Sequence, residues 1–260
     1  MTDLAARAAK LLELHTSPEL LVLSNVWDVV SARTVAAVDG VKALATASHS
    51  IAATFGYPDG ENIPLELHLD MVSRIVAAVD LPVTMDFEAG YGDAGATAAK
   101  VIAAGAVGGN LEDQMRPLDE AVANVKAVMA AGRTAGIEFV LNARTDVFSR
   151  APKDANHQDL LDEALRRGLA YLAAGAPVVF VPGAVAREDI AFLVEGLGPQ
   201  RLTVINFPGR GLSIRELREL GVARVSTGPF TQRVALTALQ DATIELLAGG
   251  SLPPDTRALN

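Results

Sequence analysis

Three short stretches place polar side chains two residues apart where an apolar run gives way to a turn. They are Asp86 and Glu88 in MDFEAGYGD, Asn110 and Glu112 in GGNLEDQ, and Asn142 and Arg144 in NARTD. Side chains alternate along a strand, so each pair shares one face, and Thr84 joins the first pair. If the three faces converge, at least three carboxylates meet one guanidinium. Like carboxylates repel unless a cation or a proton intervenes. Oxygen ligands of this kind suit Mg2+ or Mn2+ with some waters retained. Arg144 would then offer a planar fork to a substrate carboxylate. Nearby, Asp113 and Asp146 read as helix caps, and Asp59 in GYPDG reads as a plain turn residue.

The first stretch also holds Gly90, Gly92 and Gly95, a G-x-G-x-x-G after a β-like run and before a helix-like one. That is the context of a dinucleotide fingerprint. Glu112, twenty positions beyond Gly92, stands where a ribose-binding acid belongs. Against it, a pyrophosphate beside Asp86 and Glu88 would meet like charge, and the fingerprint normally lies on the first strand of its unit. The acids favour the metal, with the glycines making a tight turn; an NAD(P)-dependent oxidoreductase stays as the alternative. Ser48 and His49 in TASHS suggest a Ser-His-acid triad, but no G-x-S-x-G elbow accompanies them. The amides and hydroxyls there suit a substrate carboxylate. His15, His49, His68 and His157 show no ligand spacing. His15, His68 and His157 fall on or near predicted helices and are expected at the surface. Trp27 is expected to pack.

Positioning these residues is the task of eight β/α units. Val-rich strands are predicted near 21–25, 41–47, 81–88, 106–113, 138–145, 177–183, 201–207 and 222–228. Between them lie Ala- and Leu-rich helices, several ending in Gly. Such strands, apolar throughout, are buried on both faces. The alternation predicts an α/β fold, a modified (β/α)8 TIM barrel with an extra N-terminal helix at 1–18, forming a single domain over 1–260. An open doubly wound sheet is the rival topology. In a barrel the chemistry sits at the C-terminal strand ends, where these polar residues fall. The longest stretch read as non-helical, Ala47 to about Asn62, is a candidate active-site loop.

Bulk properties agree. Half of the residues are hydrophobic, so a large core is expected. The net charge of −9, with scattered basic residues, disfavours nucleic acid and anionic membrane as partners. No run of about 18 apolar residues suggests a membrane span. The chain has no cysteine, which removes disulfides, thiolate metal sites and a cysteine nucleophile. A cytoplasmic setting is expected.

Taken together, SNVWDVVSARTVAAVDG, TASHSIAATFGYPDG, VTMDFEAGYGD, GGNLEDQ, NARTD, INFPG and LGVARVSTGP resemble the isocitrate lyase/phosphoenolpyruvate mutase superfamily over roughly residues 20–240. The resemblance implies one Mg2+ (or Mn2+) held by strand-end acids, and cleavage or formation of C–C or C–P bonds next to a 2-oxo acid through an enolate. It implies that Asp86 is the direct metal ligand and that Glu88, Glu112 and Asp59 act on the metal's outer sphere. It places Thr46, Ala47 and Ser48 around the substrate carboxylate and oxo group, and Arg144 and Asn206 on the substrate. It implies homo-oligomers, dimers or tetramers, with a last helix (229–248 here) often exchanged between subunits. Two departures stand out. Glu88 replaces the usual second Asp. After EDQ, the chain runs almost directly into a helix, without the Cys-bearing lid of the isocitrate and methylisocitrate lyases or the lid of the mutases. The reading is therefore a Mg2+-dependent lyase for a small 2-oxo or 2-hydroxy di- or tricarboxylate, like an oxaloacetate decarboxylase or an isocitrate-type lyase. A C–P phosphonomutase or hydrolase and a non-catalytic 2-oxo acid binder are alternatives.

Overall fold

The computed structural model describes residues 2–259. Its nine strands are β1 (Leu21–Leu23), β2 (Asn25–Val26), β3 (Leu44–Thr46), β4 (Val83–Asp86), β5 (Gly108–Glu112), β6 (Val140–Arg144), β7 (Val178–Phe180), β8 (Leu202–Ile205) and β9 (Arg224–Ser226). All pair in parallel in the order β1-β9-β8-β7-β6-β5-β4-β3-β2. The two ends of this sheet, β1 and β2, are neighbours in the chain. The sheet therefore wraps into a nearly closed barrel of the TIM type.

The first predicted strand is thus two half-strands. β1 pairs with β9 and β2 pairs with β3. Asn25 fastens this seam. Its Nδ2 donates to the Thr46 carbonyl at 2.7 Å, and its Oδ1 accepts from the amides of Thr227 and Gly228 at 2.9 and 2.8 Å.

The helices are α1 (Thr2–Thr16), α2 (Val29–Ala36), α3 (Ser48–Thr54), α4 (Leu65–Ala77), α5 (Ala94–Ala103), α6 (Leu118–Thr134), α7 (His157–Ala173), α8 (Arg187–Leu197), α9 (Ile214–Glu219) and α10 (Phe230–Leu247). α1 is the extra N-terminal helix, and it packs on the barrel. At Gly108 an added Cβ would stand 2.8 Å from Leu11 of α1 and 2.7 Å from the Val140 carbonyl, so only glycine admits this close approach.

The supposed loop after the second predicted strand contains α3. Its Ser, His and Thr content argues against a helix on propensity alone. Burial of Ile51 and Ala52 overrides that, and Gln232 of α10 donates to the Ser50 carbonyl at 3.1 Å.

Two histidines expected at the surface are buried. His15 lies with Ala8 and Leu11 on one helical face, and His68 lies with Val72 and Ile75. Burial pushes His15 down to about 3 and His68 down to about 4, so both are neutral at pH 7. His157 is exposed, as expected, and its Nε2 lies 2.8 Å from Asp189. Trp27 is partly buried against the core, as expected.

A layer of polar side chains crosses the middle of the barrel. Asn142 donates to Asn110 at 2.8 Å, Thr203 donates to Asn142 at 2.7 Å, and Arg224 reaches Asn110 at 3.4 Å. This layer is the floor beneath the strand-end acids.

Candidate active site

The strand ends open into a cavity of about 560 Å3 lined by Asp86, Glu88, Glu112, Arg144, Asp59 and Ser48, among others. That is the size range of small-molecule sites. Neighbouring strands bring the acids together: Asp86 is in register with Asn110, and Glu112 with Arg144.

Asp86 is held on one side only. Its Oδ2 accepts from the Ser48 hydroxyl at 2.9 Å and from the Ser48 amide at 3.4 Å. Its Oδ1 is buried and has no hydrogen-bond partner. An unpartnered buried oxygen is costly. Burial raises the Asp86 carboxyl above its ordinary range, against the pull of Arg144 and Ser48. Thr46 is buried behind it, and its Oγ1 accepts from the Asp86 amide at 3.1 Å. Thr46 therefore braces Asp86, while Ala47 and Ser48 line the cavity.

Glu88 adopts a positive φ of 56°, a conformation uncommon outside glycine. Its carboxylate accepts from the Glu61 amide and, at 3.3 Å, from the Tyr91 hydroxyl. Burial and then the Asp86 charge raise it to about 7. Glu112 is raised to about 8, chiefly by burial, with Asp86, Asp146 and Glu88 adding and Arg144 opposing. Acids that raise one another in this way are what a cation would relieve.

Among the described residues no three acidic or histidine side chains stand close enough to complete a metal's inner shell. One free, buried Asp86 oxygen with further acids set back from it suits a hard cation that keeps most of its waters. Mg2+ is such an ion. The donor set fits it: Asp86 would hold it directly, and Glu88, Glu112 and Asp59 would hold its waters.

Arg144 forms ion pairs with Glu112 at 2.6 Å and Asp146 at 2.7 Å. Burial works against its charge, but Glu112, Asp146 and Asp86 outweigh that and raise it. Its Nε also donates to Asp146 at 2.8 Å, so much of the fork expected for substrate already faces Asp146.

Asp146 and Asp113 are therefore not helix caps. Asp146 orients Arg144 and accepts from the Gln114 amide. Asp113 is buried, accepting from the Tyr171 hydroxyl at 2.6 Å and Arg167 at 3.1 Å. It also accepts from the Asp146 amide at 3.0 Å, which ties the two strand ends together. Asp113 lies one residue past the parity of Asn110 and Glu112, and Asp146 keeps the parity of Arg144 but lies two residues past the end of β6.

Asn206 stands apart. Ile205 faces the cavity, so Asn206 points to the other side, where it lines a narrow groove with Val185, Ile190 and Leu212. His49 and Asp59 line the cavity rim, with Nδ1 3.4 Å from Oδ2. Ser48 donates to Asp86 and not to His49, so no Ser-His-acid triad is assembled.

Two amides around the glycine turn already have partners. The Tyr91 amide donates to Glu61 at 2.6 Å and the Ala96 amide to Asp93 at 2.9 Å. Those two donors are spent on carboxylates. Gly90, at φ 94°, would place a Cβ 2.8 Å from Ala94, so it serves close turn-to-helix packing.

An α/β barrel with an acid cluster at its C-terminal strand ends has the form of a TIM-barrel enzyme. A family model described as phosphoenolpyruvate phosphomutase matches residues 11–247. The chain belongs to this family, within the PEP mutase/isocitrate lyase superfamily. It is 33% identical to the uncharacterised protein Rv1998c of Mycobacterium tuberculosis H37Rv, over 93% of this chain and 90% of that one. It is 29% identical to a 2,3-dimethylmalate lyase of Eubacterium barkeri, over 82% of this chain and 77% of that one. Among solved structures, a candidate phosphonomutase of Burkholderia cenocepacia J2315 superposes with a TM-score of 0.84 at 39% identity, covering 95% of this chain and 100% of that one. The relatives named for an activity include lyases, mutases and an oxaloacetate acetylhydrolase.

Proposed function

We propose that this chain is a cytoplasmic, Mg2+-dependent carbon–carbon lyase acting on a small 2-oxo or 2-hydroxy di- or tricarboxylate. Mn2+ would serve in place of Mg2+. One observation carries the reading: the free, buried Oδ1 of Asp86, set among Glu88, Glu112 and Asp59 and opposite Arg144. The bound cation would supply Lewis-acid stabilisation of the negative charge that develops on the substrate's 2-oxygen. The chain supplies the rest. Ser48 fixes the carboxylate plane of Asp86 through its hydroxyl and its amide. Arg144, kept charged by Asp146, faces the developing negative charge.

Five residues, 113–117, join β5 to α6. A connection this short does not form a lid long enough to shield a reactive intermediate from water. Decarboxylation or retro-aldol cleavage, with the final proton taken from solvent, asks least of such a lid. The likeness to the Burkholderia phosphonomutase keeps C–P bond chemistry as a second reading.

We further propose a homo-oligomer. Gln232 is the buried residue of α10, while Val234, Leu239 and Leu247 are 69%, 64% and 86% exposed. A second copy would cover that face. The site assignment is tested by Asp86→Ala, which should abolish metal-dependent turnover of oxaloacetate and isocitrate-type substrates while the barrel stays folded. Metal-dependent turnover at the wild-type rate would refute it.

A further inference from the structure

The cavity is electrically divided. Its floor carries the strand-end acids, and Arg144 is already paired there with Glu112 and Asp146. Its rim carries two further guanidinium groups, Arg150 and Arg233. Among the described residues neither of these has a salt bridge, although the chain as a whole is acidic. Between floor and rim stands an apolar wall that includes Phe180, Ile205, Phe207 and Phe230.

That wall is held in shape by its own contacts. Phe207 and Phe230 meet edge to face, with ring centroids 5.5 Å apart. Arg210 stacks on Phe207 at 4.1 Å, and Arg233 lies over Phe230 at 5.2 Å. Cations prefer such ring faces, so both rings are held in place and Arg233 is kept on the cavity lining. Arg233 sits in the first turn of α10, where a cation gains nothing from the helix dipole. Its place is explained by what it faces.

We infer that Arg233, assisted by Arg150, is the specificity-determining anchor for a second, distal carboxylate of the substrate, and that the aromatic wall receives an alkyl group between the two carboxylates. The inference rests on the floor being the metal and 2-oxo acid site proposed above. A short oxo acid with no distal anion would leave both rim guanidinium groups unpaired and the wall wet. A malate-like diacid with an apolar substituent at C3 satisfies floor, wall and rim together. Specificity in this chain then resides on α10 and on the 206–211 turn, away from the acids that do the chemistry.

The test is calorimetric titration in Mg2+ of four ligands: oxalate, 2-hydroxybutanoate, malate and 3-ethylmalate. Wild type should bind 3-ethylmalate more tightly than malate, and malate more tightly than 2-hydroxybutanoate. Arg233→Met keeps the stem over Phe230 and removes the charge. It should weaken both diacids by about tenfold, the loss of one charge-assisted hydrogen bond, and leave oxalate unchanged. Phe207→Leu should erase the preference for 3-ethylmalate over malate. If oxalate binds but the diacids gain nothing over 2-hydroxybutanoate, or Arg233→Met leaves the affinity for both diacids unchanged, the anchor is refuted and the floor stands. If oxalate itself does not bind wild type with Mg2+, the floor assignment fails and takes the anchor with it.

Discussion

Replacing Glu112 with Gln should stabilise the metal-free protein at alkaline pH while leaving it unchanged in acid. Burial and the surrounding acids hold the folded-state carboxyl at about 8, against an ordinary 4.5. The folded protein therefore grips this proton more tightly than the unfolded chain does. The stability that Glu112 contributes is fully present below about pH 4.5 and is lost as pH rises toward 8. Each pH unit across that window is worth about 1.4 kcal/mol, which sets a ceiling of about 5 kcal/mol. Arg144 at 2.6 Å and the cavity's water both reduce the cost, and a working figure is about 2–3 kcal/mol. Glu88, raised to about 7, adds in the same direction and is common to both proteins. For a chain of this size the difference amounts to roughly 4–12 °C in Tm. The assay is thermal unfolding in chelator at pH 5, 6, 7 and 8. The wild-type and Glu112→Gln curves should coincide near pH 5 and part as pH rises, with the variant the more stable. Curves that run parallel over the whole range would refute the reasoning, because Glu112 would then ionise alike in folded and unfolded chains.

Two further outcomes follow from the same structure. Arg167→Met leaves the buried carboxylate of Asp113 without its cation, and breaking a buried pair in this way should cost about 3–5 kcal/mol in urea unfolding; a loss below about 1 kcal/mol would show that Tyr171 alone satisfies Asp113. The exposed apolar face of α10 should hold subunits together, so light scattering should give a mass that is a multiple of 27.1 kDa. Leu239→Glu with Leu247→Glu should lower that mass, and a wild-type monomer at micromolar concentration would contradict the assembly.

Much of the site was legible because strand periodicity is a strict rule. Asn110 and Glu112, and Asn142 and Arg144, each alternate with apolar residues, and parallel pairing in register aligns them with one another and with Asp86, while Glu88 lies two residues past β4 at a positive φ. The same rule applied to Ile205 and Asn206 turns Asn206 away from the cavity. Its expected contact with substrate came from resemblance and not from parity. Other features depended on tertiary partners that no local pattern shows. α3 forms because Ile51 and Ala52 are buried, against the propensities of its polar residues. The break at Ser24 arises because one strand must pair with β9 on one side and β3 on the other. Asp146 lies beyond its strand, and its bond to Arg144 is a property of the folded loop. The burial of His15 and His68 did have a signal, since each falls on the apolar stripe of its helix. A residue's polarity is weaker guidance to exposure than its place in the 3.6-residue period.

The central claim, that the strand-end acids form a cation-dependent site for a 2-oxo acid, is tested most directly by thermal unfolding in four conditions. They are Mg2+ alone, oxalate alone, Mg2+ with oxalate, and NADH. Oxalate is a planar dianion like the enolate of pyruvate, and a ligand specific for the folded state raises Tm by mass action. The account predicts a clear rise with Mg2+ and oxalate together that oxalate alone does not produce. A rise with NADH and none with Mg2+ and oxalate would contradict it and return the glycine turn at residues 90–95 to the role of a nucleotide site.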